Sequence, residues 1–197
     1  MYEWRKMTHE ERYIARKERH LKSFPSHNCP HLEGDSQIYH IFSSCYEHKN
    51  ILTLKENRLE LFQEQLLQFC SNHSQSLYAW CILPNHYHIL LKTDDLKNFV
   101  KEHGKFHGRT SYYWNKEDQQ QGRQCFHGQR DNWIHNEYHF WTTLNYIHNN
   151  PVHHKLVKKW YDWPYSSAID FLEKHSFEEV LEIWQNFPVK EYKENWE

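Results

Sequence analysis

Two short segments carry residues whose types and spacing could do chemistry. The first, Leu83-Pro84-Asn85-His86-Tyr87-His88-Ile89-Leu90-Leu91, contains an H-x-H triplet. On a strand, side chains alternate between faces, so His86 and His88 project together with imidazoles about 6–7 Å apart, close enough to share one divalent ion. The second, Leu144-Asn145-Tyr146-Ile147-His148-Asn149-Asn150-Pro151-Val152, sets Tyr146 and Asn150 four residues apart, one turn apart on one helical face. The Asn150 carbonyl oxygen suits Mg²⁺ or Mn²⁺. The Tyr146 hydroxyl becomes a nucleophile once a metal or a base activates it.

Each segment also has a plain reading. With 18 histidines in 197 residues, composition alone yields an H-x-H triplet about once or twice. The pairs His27/His31, His103/His107 and His135/His139 have helical i, i+4 spacing, but none is an H-E-x-x-H and none has an evident third ligand, so each reads first as a solvated helix face. Asparagine is a frequent helix terminator, and a tyrosine before it is ordinary. Together, however, the two segments supply a three-ligand metal site beside a nucleophile. That is equipment for phosphodiester cleavage through a covalent intermediate, the metal polarising the phosphate that the tyrosine attacks.

The elements that must position these residues are legible in part. Gln37 to Phe42 is β-rich and reads as a first strand. Asn57 to Cys70 reads as a helix, because Leu59, Phe62, Leu66 and Phe69 recur at three and four residues. Leu77 to Ile82 and His86 to Leu91 read as strands separated by Pro84-Asn85. A second helix runs from Leu96 to about Tyr113 with Asp94-Asp95 near its start, and Asn115 to Gly122 reads as a polar loop. Cys125 to Ile134 reads as a further strand. Asn136 to Asn149 reads as a third helix, capped by Asn136 and ended by Pro151. This order predicts an α+β chain: an antiparallel sheet with helices on one face, for which the split β-α-β arrangement is one option.

Composition excludes several classes. No run of about 18 apolar residues exists, so no membrane span is expected. The charged start, Met1-Tyr2-Glu3-Trp4-Arg5-Lys6, shows no secretory signal. Five scattered cysteines without a C-x-x-C read as reduced and structural, in a cytoplasmic chain. Aromatics at 17% argue against disorder. The net charge of −2 gives no support to nucleic-acid binding by itself, yet the charge is segregated. Residues 162–197 carry 9 acidic and 3 basic side chains, so a mildly basic body ends in an acidic tail. Three divisions follow: a polar basic arm at 1–36, the main domain at 37–167, and an acidic helix or tail at 168–197.

From about Gln37 to Ser167 the sequence resembles the single-tyrosine HUH transposases, in the branch of IS200-like enzymes called REP-associated tyrosine transposases. The resemblance rests on Ile38-Tyr39-His40-Ile41, on Cys81 to Leu91, on Phe140 to Val152, and on Asp162-Trp163-Pro164-Tyr165-Ser166-Ser167. The P-N-H-x-H block and the Y-I-H-x-N-P-V block, in this order and near this separation, are specific as a pair. The resemblance implies a ferredoxin-like (RRM-like) HUH nuclease fold, with the histidines on a central strand of an antiparallel sheet and helices packed on it. It implies His86, His88 and Asn150 as ligands of Mg²⁺ or Mn²⁺ and Tyr146 as the catalytic nucleophile. The implied partner is single-stranded, hairpin-associated DNA in a bacterial cytoplasm, cut to a 5′-phosphotyrosine and a free 3′-OH. Monomer and homodimer both stay open. One departure is Tyr87, where a plain hydrophobe is usual between the histidines; it is expected to face away from the metal. Tyr138 lacks an asparagine partner.

DNA binding wants basic side chains along a groove and aromatics for stacking. Lys97, Lys101, Lys105 and Arg109 make one i, i+4 stripe, and Lys155, Lys158 and Lys159 follow the third helix among Trp160, Tyr161 and Trp163. Arg12, Arg16, Lys17, Arg19 and Lys22 lie in the arm. Two other readings stand beside the enzyme: a non-catalytic hairpin-binding relative, and an unrelated histidine-rich zinc protein.

Overall fold

Apolar side chains on both faces of its strands make this sheet an interior layer. In the computed structural model, which describes residues 37–189, the chain runs β1 (Ile38–Ser44), α1 (Arg58–His73), β2 (Ser76–Ile82), β3 (His86–Lys92), α2 (Leu96–Glu117), β4 (Arg130–Trp133), α3 (Glu137–His153), α4 (Ala168–Lys174) and α5 (Phe177–Asn186). The strands form one antiparallel sheet in the order β2-β3-β1-β4. A β-α-β-β-α-β chain with this strand order is the ferredoxin-like arrangement. The proposed arm at 1–36 and the end of the acidic tail lie outside the described residues.

The strands alternate, so the sheet separates two cores. Ile41, Tyr87, Ile89 and Leu91 pack with Leu59, Phe62, Leu66 and Phe69 of α1 and Phe99, Phe106 and Trp114 of α2. Ile38, Ala79, Cys81 and Leu90 point the other way, onto Phe140, Trp141, Leu144 and Ile147 of α3 and Phe171, Val180 and Ile183 beyond it. Helices therefore cover both faces. The expectation of one helical face holds for α1 and α2 and fails for α3, α4 and α5.

Three boundaries differ from the sequence expectation, each for a tertiary reason. The second helix continues to Glu117, through the start of the expected loop. Trp114 packs on Phe62 and Phe126, while Asn115 is buried and exchanges hydrogen bonds with Arg123 (2.6 and 3.0 Å), which holds the extra turn. Beyond it, Asp118 accepts from the buried Arg58 of α1 at 2.6 Å and from Arg123 at 2.6 Å; the Arg58 bond most of all holds its carboxyl down to about 2. The strand expected over Cys125 to Ile134 is confined to Arg130–Trp133, with an isolated bridge from Phe126 to Cys45. The third helix does begin at Asn136, whose side chain accepts from His139 N at 2.8 Å. It does not end before Pro151, which sits inside the last turn. A proline there costs only the bond to Ile147 O, and the turn closes through His154 N to Asn150 O (3.0 Å) and Leu156 N to Pro151 O (2.9 Å), with Lys155 left-handed at φ 59°. Asn150 thereby stays helical.

Residues 163–167 fasten α3 to the sheet. Ile82 N donates to Tyr165 O (2.9 Å), Trp163 Nε1 donates to Ile82 O (2.8 Å), and Ser166 bridges to Cys81. Ser167 Oγ accepts from Trp80 N (2.9 Å) and lies 2.9 Å from Nε2 of the buried His148. Burial holds His148 down to about 3, so its ring is neutral. Cys45, Cys70, Cys81 and Cys125 are free and buried, and burial pushes Cys45 and Cys70 up to about 12, as structural thiols should be. Among the described residues no helix is long and apolar enough to cross a membrane.

Candidate active site

The central strand β3 sends His86, His88 and Leu90 toward α3 and Tyr87, Ile89 and Leu91 toward α1 and α2. From α3, Asn150 reaches the same place. His86 Nε2 stands 3.2 Å from Asn150 Oδ1, and His86 Nδ1 stands 2.6 Å from Asn85 Oδ1. Asn85 Oδ1 can only accept, so the His86 proton is on Nδ1 and Nε2 is a bare lone pair. Two acceptors then face each other, His86 Nε2 and Asn150 Oδ1. Either a cation between them or a turn of the Asn150 amide, whose Nδ2 has no partner, satisfies the pair. His88 is buried, and its Nε2 has no hydrogen-bond partner. Its Nδ1 lies 3.0 Å from His40 Nε2 across the sheet.

Burial keeps these imidazoles neutral. Desolvation holds His86 down to about 4 and His40 to about 3, and it holds His88 well below the usual histidine range. Neutral nitrogen is the form that ligates a metal. Two imidazoles and an amide oxygen are a donor set that suits Mn²⁺ and, less strongly, Mg²⁺. Tyr146, half-buried on the same helical face as Asn150, presents its ring edge-on to His88 at 5.4 Å and to His40 at 6.2 Å between centroids. Phe42 stacks on His88 at 4.9 Å and walls the site from β1.

His86, His88, Asn150 and Tyr146 are thus brought together at one side of the sheet. Lys155, Lys158 and Lys159 are exposed and directly follow α3, at the end of the helix where Asn150 lies; Lys159 Nζ sits 5.5 Å over the Tyr161 ring. Lys97, Lys101, Lys105 and Arg109 are also exposed but ride on α2, across the sheet from Tyr146, with Lys105 paired to Glu102 at 2.6 Å. The structure does not bring that stripe to the site.

Tyr87 faces away from His86 and His88, as expected. Its hydroxyl lies 2.5 Å from Nε2 of both His103 and His107. That pair is neither a solvated helix face nor a chelate: both rings are buried, His103 also bonded to Gln129 and His107 stacked on Phe126 at 4.0 Å. Among the described residues no cluster of three His, Cys, Asp or Glu side chains forms a metal site. Two site residues escaped assignment from sequence, His40 and His154, whose ring meets His86 edge-on at 4.8 Å. The spacing Tyr146, Asn150, His154 repeats every four residues and was the available signal for the second. His40 needed the register, in which Phe42 pairs with His88 and His40 with Leu90.

Comparison with known proteins converges on one group. Residues 35–150 match the family model of IS200-like transposases, and the chain belongs to that family. A REP-associated tyrosine transposase from Haemophilus influenzae is 30% identical over 125 residues, spanning 54% of this chain and 66% of that protein. A solved REP-associated tyrosine transposase, bound to a REP hairpin, shares the fold with a TM-score of 0.51 at 19% identity, covering 72% of this chain and 82% of its own. Both of these relatives are REP-associated tyrosine transposases, and the solved one shares this chain's fold.

Proposed function

We propose that this chain is a metal-dependent transposase or endonuclease that cleaves and rejoins single-stranded, hairpin-associated DNA through a 5′-phosphotyrosine on Tyr146. In this reading the working unit is residues 37–167, acting in a bacterial cytoplasm. His86, His88 and Asn150 hold Mg²⁺ or Mn²⁺. The observation that carries the reading is the meeting of three candidate ligand side chains on the face of the sheet that bears Tyr146: His86 Nε2 lies 3.2 Å from Asn150 Oδ1, and the buried His88 Nε2 has no hydrogen-bond partner. The solved relative's bound hairpin supports DNA as the partner.

The metal, when bound, supplies Lewis-acid polarisation of the scissile phosphate. The rest falls to side chains. Tyr146 Oη attacks phosphorus, an O–P bond forms, and the bond from phosphorus to the 3′ oxygen breaks. The phenol gives up its proton to solvent, and the leaving 3′ oxygen takes one up. The 5′ phosphate stays on Tyr146 as an ester, and attack by a 3′-OH reverses the step and joins strands. Helix α3 holds nucleophile and amide one turn apart, which sets the approach.

Mixing the protein with single-stranded hairpin DNA and Mn²⁺ should give a covalent adduct on a denaturing gel that Tyr146→Phe abolishes. An adduct that survives Tyr146→Phe contradicts the mechanism. Retarded mobility on a native gel with no adduct across varied hairpins would identify a non-catalytic hairpin-binding relative instead.

A further inference from the structure

We propose that His40 is a positioning residue for the metal site: it accepts a hydrogen bond from His88 Nδ1–H and so fixes the tautomer that leaves a bare lone pair on His88 Nε2, the buried nitrogen without a partner. The inference rests on the reading of His88 as a ligand. His40 sits on β1, diagonal to His88 across the ladder, since Phe42 is opposite His88 and Leu90 is opposite His40. Diagonal neighbours on one face of a sheet are within reach of ring side chains. Both rings are buried, their planes are within 23° of each other, and the nitrogens are 3.0 Å apart.

Only one proton can lie between His40 Nε2 and His88 Nδ1. If His40 donates it, a neutral His88 carries its own proton on Nε2, and a buried N–H points into the site with nothing to receive it. If His88 donates it, Nε2 is a bare lone pair, and His40 carries its proton on Nδ1. The second arrangement removes the buried orphan N–H and leaves a nitrogen ready to ligate. Histidine ligands commonly have their other ring nitrogen held in this way, and losing the holder weakens metal binding by about 10- to 100-fold. His40 also meets Tyr146 edge-on at 6.2 Å, so the same ring walls the ligand and the nucleophile. Nothing in the residue types of β1 alone reveals this; it requires the register.

The tautomer can be read in the wild-type protein by ¹⁵N resonances of the histidine rings. A protonated Nδ1 and bare Nε2 on His88 is the expected result; a protonated Nε2 overturns the proposal. Mn²⁺ titration followed by EPR then reads affinity without DNA. His40→Phe should bind Mn²⁺ about 10- to 100-fold more weakly than wild type. His40→Gln, whose carbonyl oxygen can accept from Nδ1–H, should restore most of the affinity. Equal affinity in His40→Phe, or no recovery in His40→Gln, overturns the positioning role while leaving the ligand reading intact. Wild type that binds no Mn²⁺, or His88→Ala that binds as well as wild type, overturns the ligand reading itself.

Discussion

The hydroxyl of Tyr87 has two histidines for neighbours and one proton to divide between them. Gln129 Oε1 takes the proton on His103 Nδ1, so His103 Nε2 accepts from Tyr87, and His107 Nε2–H must donate to the phenolic oxygen. Burial holds His103 down to about 4 and His107 well below its ordinary value, so neither ring competes by taking a charge. A tyrosine between His86 and His88 therefore serves the opposite face of the sheet, holding α2 against the strand that carries them. Tyr87→Phe keeps the ring and removes the hydroxyl, leaving two buried imidazoles short of a partner. It should destabilise the fold by about 2 kcal/mol, the range for an orphaned buried polar group, read as a lower urea midpoint. An unchanged midpoint would show that the network carries no stability.

Helix α3 is the element on which the site depends, because it alone carries Tyr146 and Asn150. Its sequence shows a cap at Asn136 and a stop at Pro151, and only the first is real. Proline's rule concerns a lost backbone bond, whereas Asn150 and the bonds beyond it keep the last turn closed. The spacing of Tyr146 and Asn150 was legible from the helical period, as was the shared face of His86 and His88 from strand alternation. What could not be read was long-range: which strand lies beside β3, which face α3 covers, and which side chains close the helix against the sheet. Ser167 illustrates the last point. It lies 19 residues from His148 and 87 from Trp80, and joins both. Ser167→Ala leaves Trp80 N–H and His148 Nε2 buried without a partner, so the domain should lose about 1–3 kcal/mol by thermal or urea melting. A loss below about 0.5 kcal/mol, the scale of a neutral surface change, would contradict that anchoring role.

At the scale of the molecule, the sheet separates two groups of exposed basic residues. Lys155, Lys158 and Lys159 leave α3 at the end where Asn150 lies, while Lys97, Lys101, Lys105 and Arg109 ride the helix behind the sheet. The net charge of −2 offers no general attraction for DNA, so local placement decides which cations matter. Removing the three lysines after α3 should weaken single-strand binding and flatten the dependence of log K on log salt by about 2, at about 0.7 per phosphate contact. Removing the four on α2 should change that slope little. The reverse outcome would put the DNA on the far face. The histidines among the described residues also resolve by place: few of them converge on the site, and others, like His103 and His148, are buried, neutral packing groups.

The proposed reaction turns on one tyrosine taking the phosphate. Mass spectrometry of the protein after reaction with hairpin DNA and Mn²⁺, followed by nuclease and protease digestion, reads the modified residue directly. A nucleotide-phosphate adduct on the peptide carrying Tyr146, at Tyr146, is the expected result. An adduct on Tyr87 or Tyr138, or none on any tyrosine while the DNA is cut, would contradict it.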